Sequence, residues 1–302
     1  MQSTSISWKY GGNHVLLFGS FNGWSDGIPM KYKDNVFQIV LDLPYGTHQI
    51  KFQIDGCWCY DMICPIIDDG LGGKNNLIRV RKEGSDVTIV HISDTHNYHD
   101  RYGKLPDGDI LIISGDFSIW GHPDEFKNFN EWLGKQPFIH RIVTLGNHEI
   151  IYAIERENDR SLGRYKSQLS NAKILSGETI NVFGLNIYGV QWHWFHKWEH
   201  SYNDKNHINK EVWNQMPNDT DVIITHSPPK GILDGRTGSK NLLDIVSHVK
   251  PKCHLFGHIH THYGTKTITW KDGKETIFSN ASGCDEETIN LINPPIVITI
   301  KK

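Results

Sequence analysis

Residues 1–82 carry short runs in which apolar and polar side chains alternate with a period of two, broken by turn formers and without a helical period. Phe37, Ile39, Leu41 and Leu43 fall on one face of a predicted strand. Ile50, Phe52 and Ile54 repeat the pattern in the next, with Gln49, Lys51 and Gln53 facing the other way. Asp55-Gly56 then supplies a tight turn. The pattern predicts an all-β sandwich. Beyond Leu77, Ile78 and Val80, the run Arg81-Lys82-Glu83-Gly84-Ser85-Asp86 is polar and contains glycine. It marks a join between two domains, with residues 83–86 as the linker.

From Val87 onward apolar strands alternate with amphipathic helices. Phe126, Phe129 and Leu133 lie at helical spacing, as do Leu242, Ile245, Val246 and Val249. Over residues 87–302 this predicts a layered α/β domain in which the loops leaving the strands open onto one rim and carry the chemistry. Lys271-Asp272-Gly273-Lys274 is a hairpin turn between TKTITW and ETIFSN, so the end of the domain returns to antiparallel strands.

A chain of 302 residues with 38% hydrophobic residues has enough apolar surface for two such domains. Its formal charge of -3 leaves no basic surplus for holding a polyanion, which argues against nucleic acid as an obligate scaffold. A small anionic substrate would need metal ions to attract it. MQSTSISWKY lacks the basic start and apolar core of a signal peptide, and no run reaches the roughly 20 apolar residues of a membrane span. The expectation is a cytoplasmic protein that does not enter a membrane. Five cysteines, three of them in CWCYDMIC, fit reduced thiols better than a disulfide framework. Cys57 and Cys59 lack further soft ligands nearby for a metal. Tripeptides at Asn218 and Asn280 match the glycosylation pattern, which means little without secretion.

The apolar runs in VTIVHISDTH, DILIISGD, RIVTLGNHE, DVIITH and HLFGHIH each end on side chains that bind metals. In order these are Asp94 and His96, Asp116, Asn147, His226, and His258 with His260. Any one of 18 histidines could sit there by accident; five motifs at five strand ends point to a dinuclear metal site. Carboxylate and amide oxygens with imidazole nitrogens, and no thiolate, suit manganese, iron or zinc. Asp116, after Ser114-Gly115, is the candidate bridging carboxylate, able to hold two ions roughly 3.5–4 Å apart, and the glycine permits close backbone approach. His258 and His260 are expected to point the same way, as alternate residues of a strand do.

The series D-x-H, G-D, G-N-H-E, H and G-H-x-H resembles that of the calcineurin-like metallophosphoesterases, over essentially residues 87–302. LPDGDILIISGDF, FNEWLG, GNHE, THSPPKGILD, GHIHTHYG and FSNAS look closest to the small metallophosphoesterase-domain proteins of that family. The resemblance implies a β-sandwich core flanked by helices. It implies two divalent metal ions, one held by Asp94, His96 and His260 and the other by Asn147, His226 and His258, with Asp116 between them. A hydroxide bridging the ions would attack phosphorus in line, its pKa lowered by the metals. His148 is the remaining catalytic candidate, donating a proton or charge to the leaving oxygen, with Glu149 orienting it or keeping it protonated. Asn97 stands where many members have glycine, and His262 where the nearest subgroup often has a small residue; both bear on substrate preference. Trp192, Trp194 and Trp198 in GVQWHWFHKW are candidates to line the rim, core packing being the commoner role of such aromatics.

GSFNGW, IPM, LDLPYGTHQIKFQIDGCW and GLGGKNNLIRV resemble the glycogen-binding carbohydrate modules of the AMP-activated kinase β subunit and of starch-branching enzymes. That resemblance implies an immunoglobulin-like sandwich and sugar contacts at Trp24, Lys51, Trp58, Leu71 and Asn75. The residues support it independently: Lys51 lies on the polar face of its strand, and Trp58 follows the turn rather than a core position. Tryptophan stacks on the apolar face of a glucose ring, while lysine and asparagine bond its hydroxyls. The combined expectation is a metal-dependent phosphoesterase, a phosphodiesterase or phosphatase, brought to glycogen or a starch-like α-glucan by its first domain. The alternative is a glycogen-binding scaffold that has lost catalysis, against which the full set of ligand positions argues. A single-metal amidohydrolase would place H-x-H first in the chain, and here it is last.

Overall fold

The computed structural model describes residues 1–150, 167–191, 216–287 and 290–302. The chain divides into two units, Met1–Asp86 with Gly134–Ile139 and Lys301–Lys302, and Val87–Leu133 with His140–Ile300. In the first unit the period-two runs form two antiparallel sheets. One orders Gln2–Trp8, Val36–Leu43 and Lys31–Lys33; the other orders Ile28–Pro29, Val15–Gly19, Gly46–Ile54, Lys74–Val80 and Ile66–Asp68, with Cys57–Cys59 also paired to Gly46–Ile54. Ile6, Trp8, Phe37 and Leu43 from the first sheet share a buried core with Val15, Leu17, Ile50, Phe52 and Val80 from the second. The inward faces are therefore the ones that the alternation marks. Asp55 and Gly56, at φ 48° and 88°, make the two-residue turn that pairs Ile54 with Cys57, a mirror-image turn that needs positive φ at both positions. Arg81 folds the join upon itself, its guanidinium donating to the carbonyls of Ser85 and Asp86. All five cysteines are free thiols.

The second unit stacks two mixed sheets. A five-stranded sheet orders Lys173–Ile174, His140–Val143, Ile110–Ile113, Val87–Ile92 and Ile296–Ile300, parallel except for the last strand. A six-stranded sheet orders Glu178–Val182, Leu185–Gly189, Val222–Ile224, Cys253–Phe256, Glu275–Asn280 and Gly264–Thr269, parallel at the centre and antiparallel at both edges. Val87, Ile89, Ile110, Ile112 and Ile142 pack against Ile187, Val222, Ile224, Cys253 and Leu255 between the sheets. The outer face of the six-stranded sheet is covered as well: helix α2 (Lys240–Val249) sets Leu242 and Val246 on Ile223, Phe256 and Phe278. Val222–Ile224 is thus buried on both faces, Val222 and Ile224 toward the other sheet and Ile223 toward the helix, which is why it reads as an unbroken apolar run. Helix α1 (Pro123–Gly134) turns Phe126, Phe129 and Leu133 inward. Parallel strands end on the same side, so the loops that follow them emerge together. No helix among the described residues is long and apolar enough to cross a membrane.

Candidate metal centre

Each sequence-predicted ligand leaves a strand end. Asp94 and His96 follow Val87–Ile92, Asp116 follows Ile110–Ile113, Asn147 follows His140–Val143, His226 follows Val222–Ile224, and His258 and His260 follow Cys253–Phe256. The backbone turns sharply there: Asp94, His96, Asp116 and His258 sit at φ 50°, 41°, 51° and 69°, a left-handed conformation costing a non-glycine residue roughly 1–2 kcal/mol.

Two groups result. Ligand atoms of Asp94, His96 and His260 lie within 4.8 Å of one another, as do those of Asp116, His226 and His258. Asn147 joins the second group through Oδ1, 3.0 Å from His226 Nε2. Asp116 lies between them, with Oδ2 3.1 Å from His226 Nε2 and a further cluster with His96 and His148. His258 and His260 therefore fall in different groups, and the expectation that they are alternate residues of one strand is corrected. The strand has ended at Phe256, His258 takes a left-handed φ, and His260 opens a short 3-10 helix, so period-two geometry no longer holds.

Backbone carbonyls orient the rings. Nδ1 of His96 donates to Ser118 at 3.1 Å, that of His226 to Ser114 at 2.7 Å, and that of His260 to Asp285 at 3.3 Å. Each bond leaves Nε2 as the ligand atom. Three glycines make room: a Cβ on Gly115 would meet the His226 ring, one on Gly146 the Asp116 carboxylate, and one on Gly257 the Asp94 carboxylate.

Asp94 and Asp116 are buried, and among the described residues neither pairs with lysine or arginine. Burial favours the neutral acids, yet the surrounding imidazoles hold both carboxyls well below the usual carboxylate range. Burial also opposes charge on the histidines, but Asp116 outweighs it at His226, raised to about 10, and Asp94 outweighs it at His260, raised to about 9. Buried carboxylates balanced only by protonated imidazoles are a donor set that divalent ions fit, since an ion replaces the protons.

His148 gives its Nδ1 proton to the carbonyl of Ile119 at 2.5 Å and holds Nε2 3.9 Å from Asp116 Oδ2. The expectation that Glu149 orients this ring is corrected. The Glu149 carboxylate is buried and accepts from the N–H groups of Asp116 (2.8 Å), Ser118 (2.9 Å) and Gly146 (2.8 Å) and from the Ser118 hydroxyl (2.7 Å). It ties the loop of Asp116 to that of Asn147, and burial, with the Asp116 charge, pushes it up to about 7. Asn97 has φ 68°, a conformation asparagine tolerates as glycine does. Its amide donates to Glu125, whose carboxylate also accepts from the N–H groups of Ile119, Trp120 and His122. His262 is exposed. Trp192, Trp194 and Trp198 lie outside the described residues.

In the first unit Trp24, Lys51, Trp58, Leu71 and Asn75 line one pocket of about 510 Å³. Trp58 is 53% and Leu71 93% exposed, so neither fills the core. Trp58 stands edge-on to Phe18 at 4.7 Å, Lys51 pairs with Asp69 at 2.9 Å, and Asn75 donates to Gln49 at 2.8 Å. Trp24 is held at φ 63°.

Two stacked sheets whose strand-end loops gather aspartate, asparagine and histidine define a metallophosphoesterase fold. Residues 87–262 match the profile of the family described as calcineurin-like phosphoesterase, and residues 2–87 match that described as the glycogen recognition site of AMP-activated protein kinase. Human metallophosphoesterase domain-containing protein 1 is 37% identical over 239 residues, covering 70% of this chain and 70% of its own. Mouse 5'-AMP-activated protein kinase subunit beta-2 is 46% identical over 84 residues, 28% of this chain and 31% of its own. A crystal structure of a Thermus thermophilus protein aligns over 72% of this chain and 99% of its own, with a TM-score of 0.45 and 12% identity. The chain belongs to the calcineurin-like phosphoesterase family and carries an N-terminal glycogen-recognition module of the AMP-activated kinase type.

Proposed function

We propose that this chain is a two-metal phosphoric ester hydrolase brought to glycogen or a starch-like α-glucan by its first unit. The observation that carries the reading is the convergence of two ligand groups on Asp116. One ion is assigned to Asp94, His96 and His260, the other to Asn147, His226 and His258, with Asp116 shared. Manganese, iron or zinc bound there would supply Lewis acidity and a water acidified toward neutrality for in-line attack on phosphorus. His148, with Nδ1 committed to Ile119, is left with Nε2 to donate a proton or charge to the leaving oxygen. Glu149 acts by positioning the Asp116 loop.

The glucan pocket is assigned to Trp24, Lys51, Trp58, Leu71 and Asn75. Tethering raises effective concentration only for a substrate fixed to the same polymer. The pairing therefore favours a phosphate on the glucan, or on a protein bound to it, over a freely diffusing ester, and cytoplasmic glycogen is the corresponding site of action. The test is a panel of phosphomonoesters, phosphodiesters, cyclic nucleotides and phosphorylated glucan, assayed with purified protein and manganese. Asp116→Ala should abolish turnover of whichever ester is cleaved while circular dichroism stays as in wild type. Surviving turnover would refute the two-metal reading, and no turnover of any ester by wild type would favour a scaffold.

A further inference from the structure

The tripeptide Asn280-Ala281-Ser282 matches a glycosylation pattern, but Asn280 and Ser282 are 0% exposed, so a glycan has no access to it. Its polar groups face the metal centre. Ser282 Oγ stands 3.0 Å from Asp94 Oδ2 and 2.8 Å from Asn280 Oδ1. One hydroxyl proton serves one acceptor at a time, and the bond to an ionised carboxylate is the stronger. Asn280 Oδ1 has a second donor in the Ser282 N–H at 3.1 Å. At the other end of the same amide, Nδ2 donates to the carbonyls of Ile259 at 2.9 Å and Leu233 at 3.3 Å. The reverse amide orientation would set donor against donor at Ser282 and oxygen against oxygen at Ile259, so the neighbours fix it.

Ile259 is the residue between His258 and His260. One buried amide thus joins the loop that carries both histidines to the hydroxyl that holds Asp94. The backbone repeats the link, with Gly283 N–H donating to Ser93 at 2.8 Å and Cys284 N–H to Asp94 at 3.1 Å. The His258 N–H donates to both Asp94 oxygens, at 3.0 and 2.9 Å, so it does not tell them apart; Ser282 takes Oδ2, and Oδ1 is the oxygen 3.3 Å from His260 Nε2.

We propose that Asn280 and Ser282 are positioning residues for the metal centre. The Ser282 hydroxyl sets the rotation of the Asp94 carboxylate so that Oδ1 and His260 Nε2 converge, and the Asn280 amide holds the His258 and His260 loop in register with it. The proposal rests on the two-metal reading and deepens it. Its consequence is asymmetric, because only one group, that of Asp94, His96 and His260, contains the carboxylate Ser282 touches.

The test is manganese binding to the full chain by equilibrium dialysis, with electron paramagnetic resonance to separate coupled pairs from isolated ions. Wild type should bind two ions with a coupled spectrum. Ser282→Ala should keep one wild-type site and bind the second about 10-fold more weakly, the lower end of what loss of such a partner costs, with isolated ions at intermediate loading. Asn280→Asp, which keeps the volume and loses both carbonyl contacts, should weaken both sites because its loop carries a ligand for each. Ser279→Ala removes another buried hydroxyl, one whose contact is His91 at 2.9 Å, and should leave both affinities unchanged. Wild-type affinities in Ser282→Ala, or the same loss in Ser279→Ala, would overturn the proposal. Wild type binding fewer than two ions would overturn the two-metal reading and the proposal with it.

Discussion

At Gly257 one methyl group decides whether the Asp94 carboxylate keeps its place, because a Cβ there would overlap both that carboxylate and the Ser93 hydroxyl. Gly257→Ala is expected to weaken manganese binding at least as much as Ser282→Ala while leaving glycogen sedimentation intact; unchanged binding would show that the carboxylate has room to shift. His148→Ala should slow hydrolysis of esters with poor leaving groups more than of those with good ones, and an equal loss for both would remove its acid role. Glu149→Gln, by contrast, should lower metal affinity without changing leaving-group sensitivity. In the glucan pocket, Trp58→Ala is expected to weaken sedimentation with glycogen about 10-fold, as loss of a stacked ring does, with turnover of a small ester unaffected. All twelve proposed metal and glucan contacts were legible as side chains in the sequence. The carbonyls of Ser114, Ser118, Ile119 and Asp285 were not, because a backbone acceptor has no residue identity to read. The role of Glu149 is hidden for a related reason: three of the four donors that claim its carboxylate are backbone N–H groups, on two loops.

At the level of the element, the sandwich strands are readable from alternation, and Ile110–Ile113 and Val222–Ile224 of the second unit from unbroken apolar runs, both direct consequences of which faces are buried. What the pattern could not reveal was where a strand stops. His258 and His260 look like alternate strand residues because nothing in HLFGHIH announces that the strand ends at Phe256. Helix α2 starts more visibly, at Ser239, whose hydroxyl accepts from the Leu242 N–H at 3.1 Å. Ser239→Ala should cost about 1 kcal/mol of stability, measured by urea unfolding of the second unit. A change indistinguishable from zero would mean that the rest of the Ser239 environment carries the helix start.

For the whole molecule, the protonation of the ion-free centre sets a pH dependence. His226 at about 10 and His260 at about 9 both exceed the ordinary value of 6.5. Their stabilising contribution to the ion-free protein is therefore complete below pH 6.5 and lost as pH rises through 9 and 10. Divalent ions must displace the same protons, so metal affinity should rise across that window, with roughly two protons released per chain at pH 7.5. Titration calorimetry in buffers of different ionisation heat measures this, and no buffer dependence would contradict the assignment. Saturation with metal should in turn protect the second unit against unfolding by about 2.7 kcal/mol for each ion bound at a hundredfold excess over its Kd, while leaving the first unit's transition in place. The left-handed backbone of Trp24, Asp94, His96, Asp116 and His258 bears on any effort to make this protein hardier. Glycine at those five positions would relieve local torsion and make the chain a better polymer, while disarming both of its proposed activities.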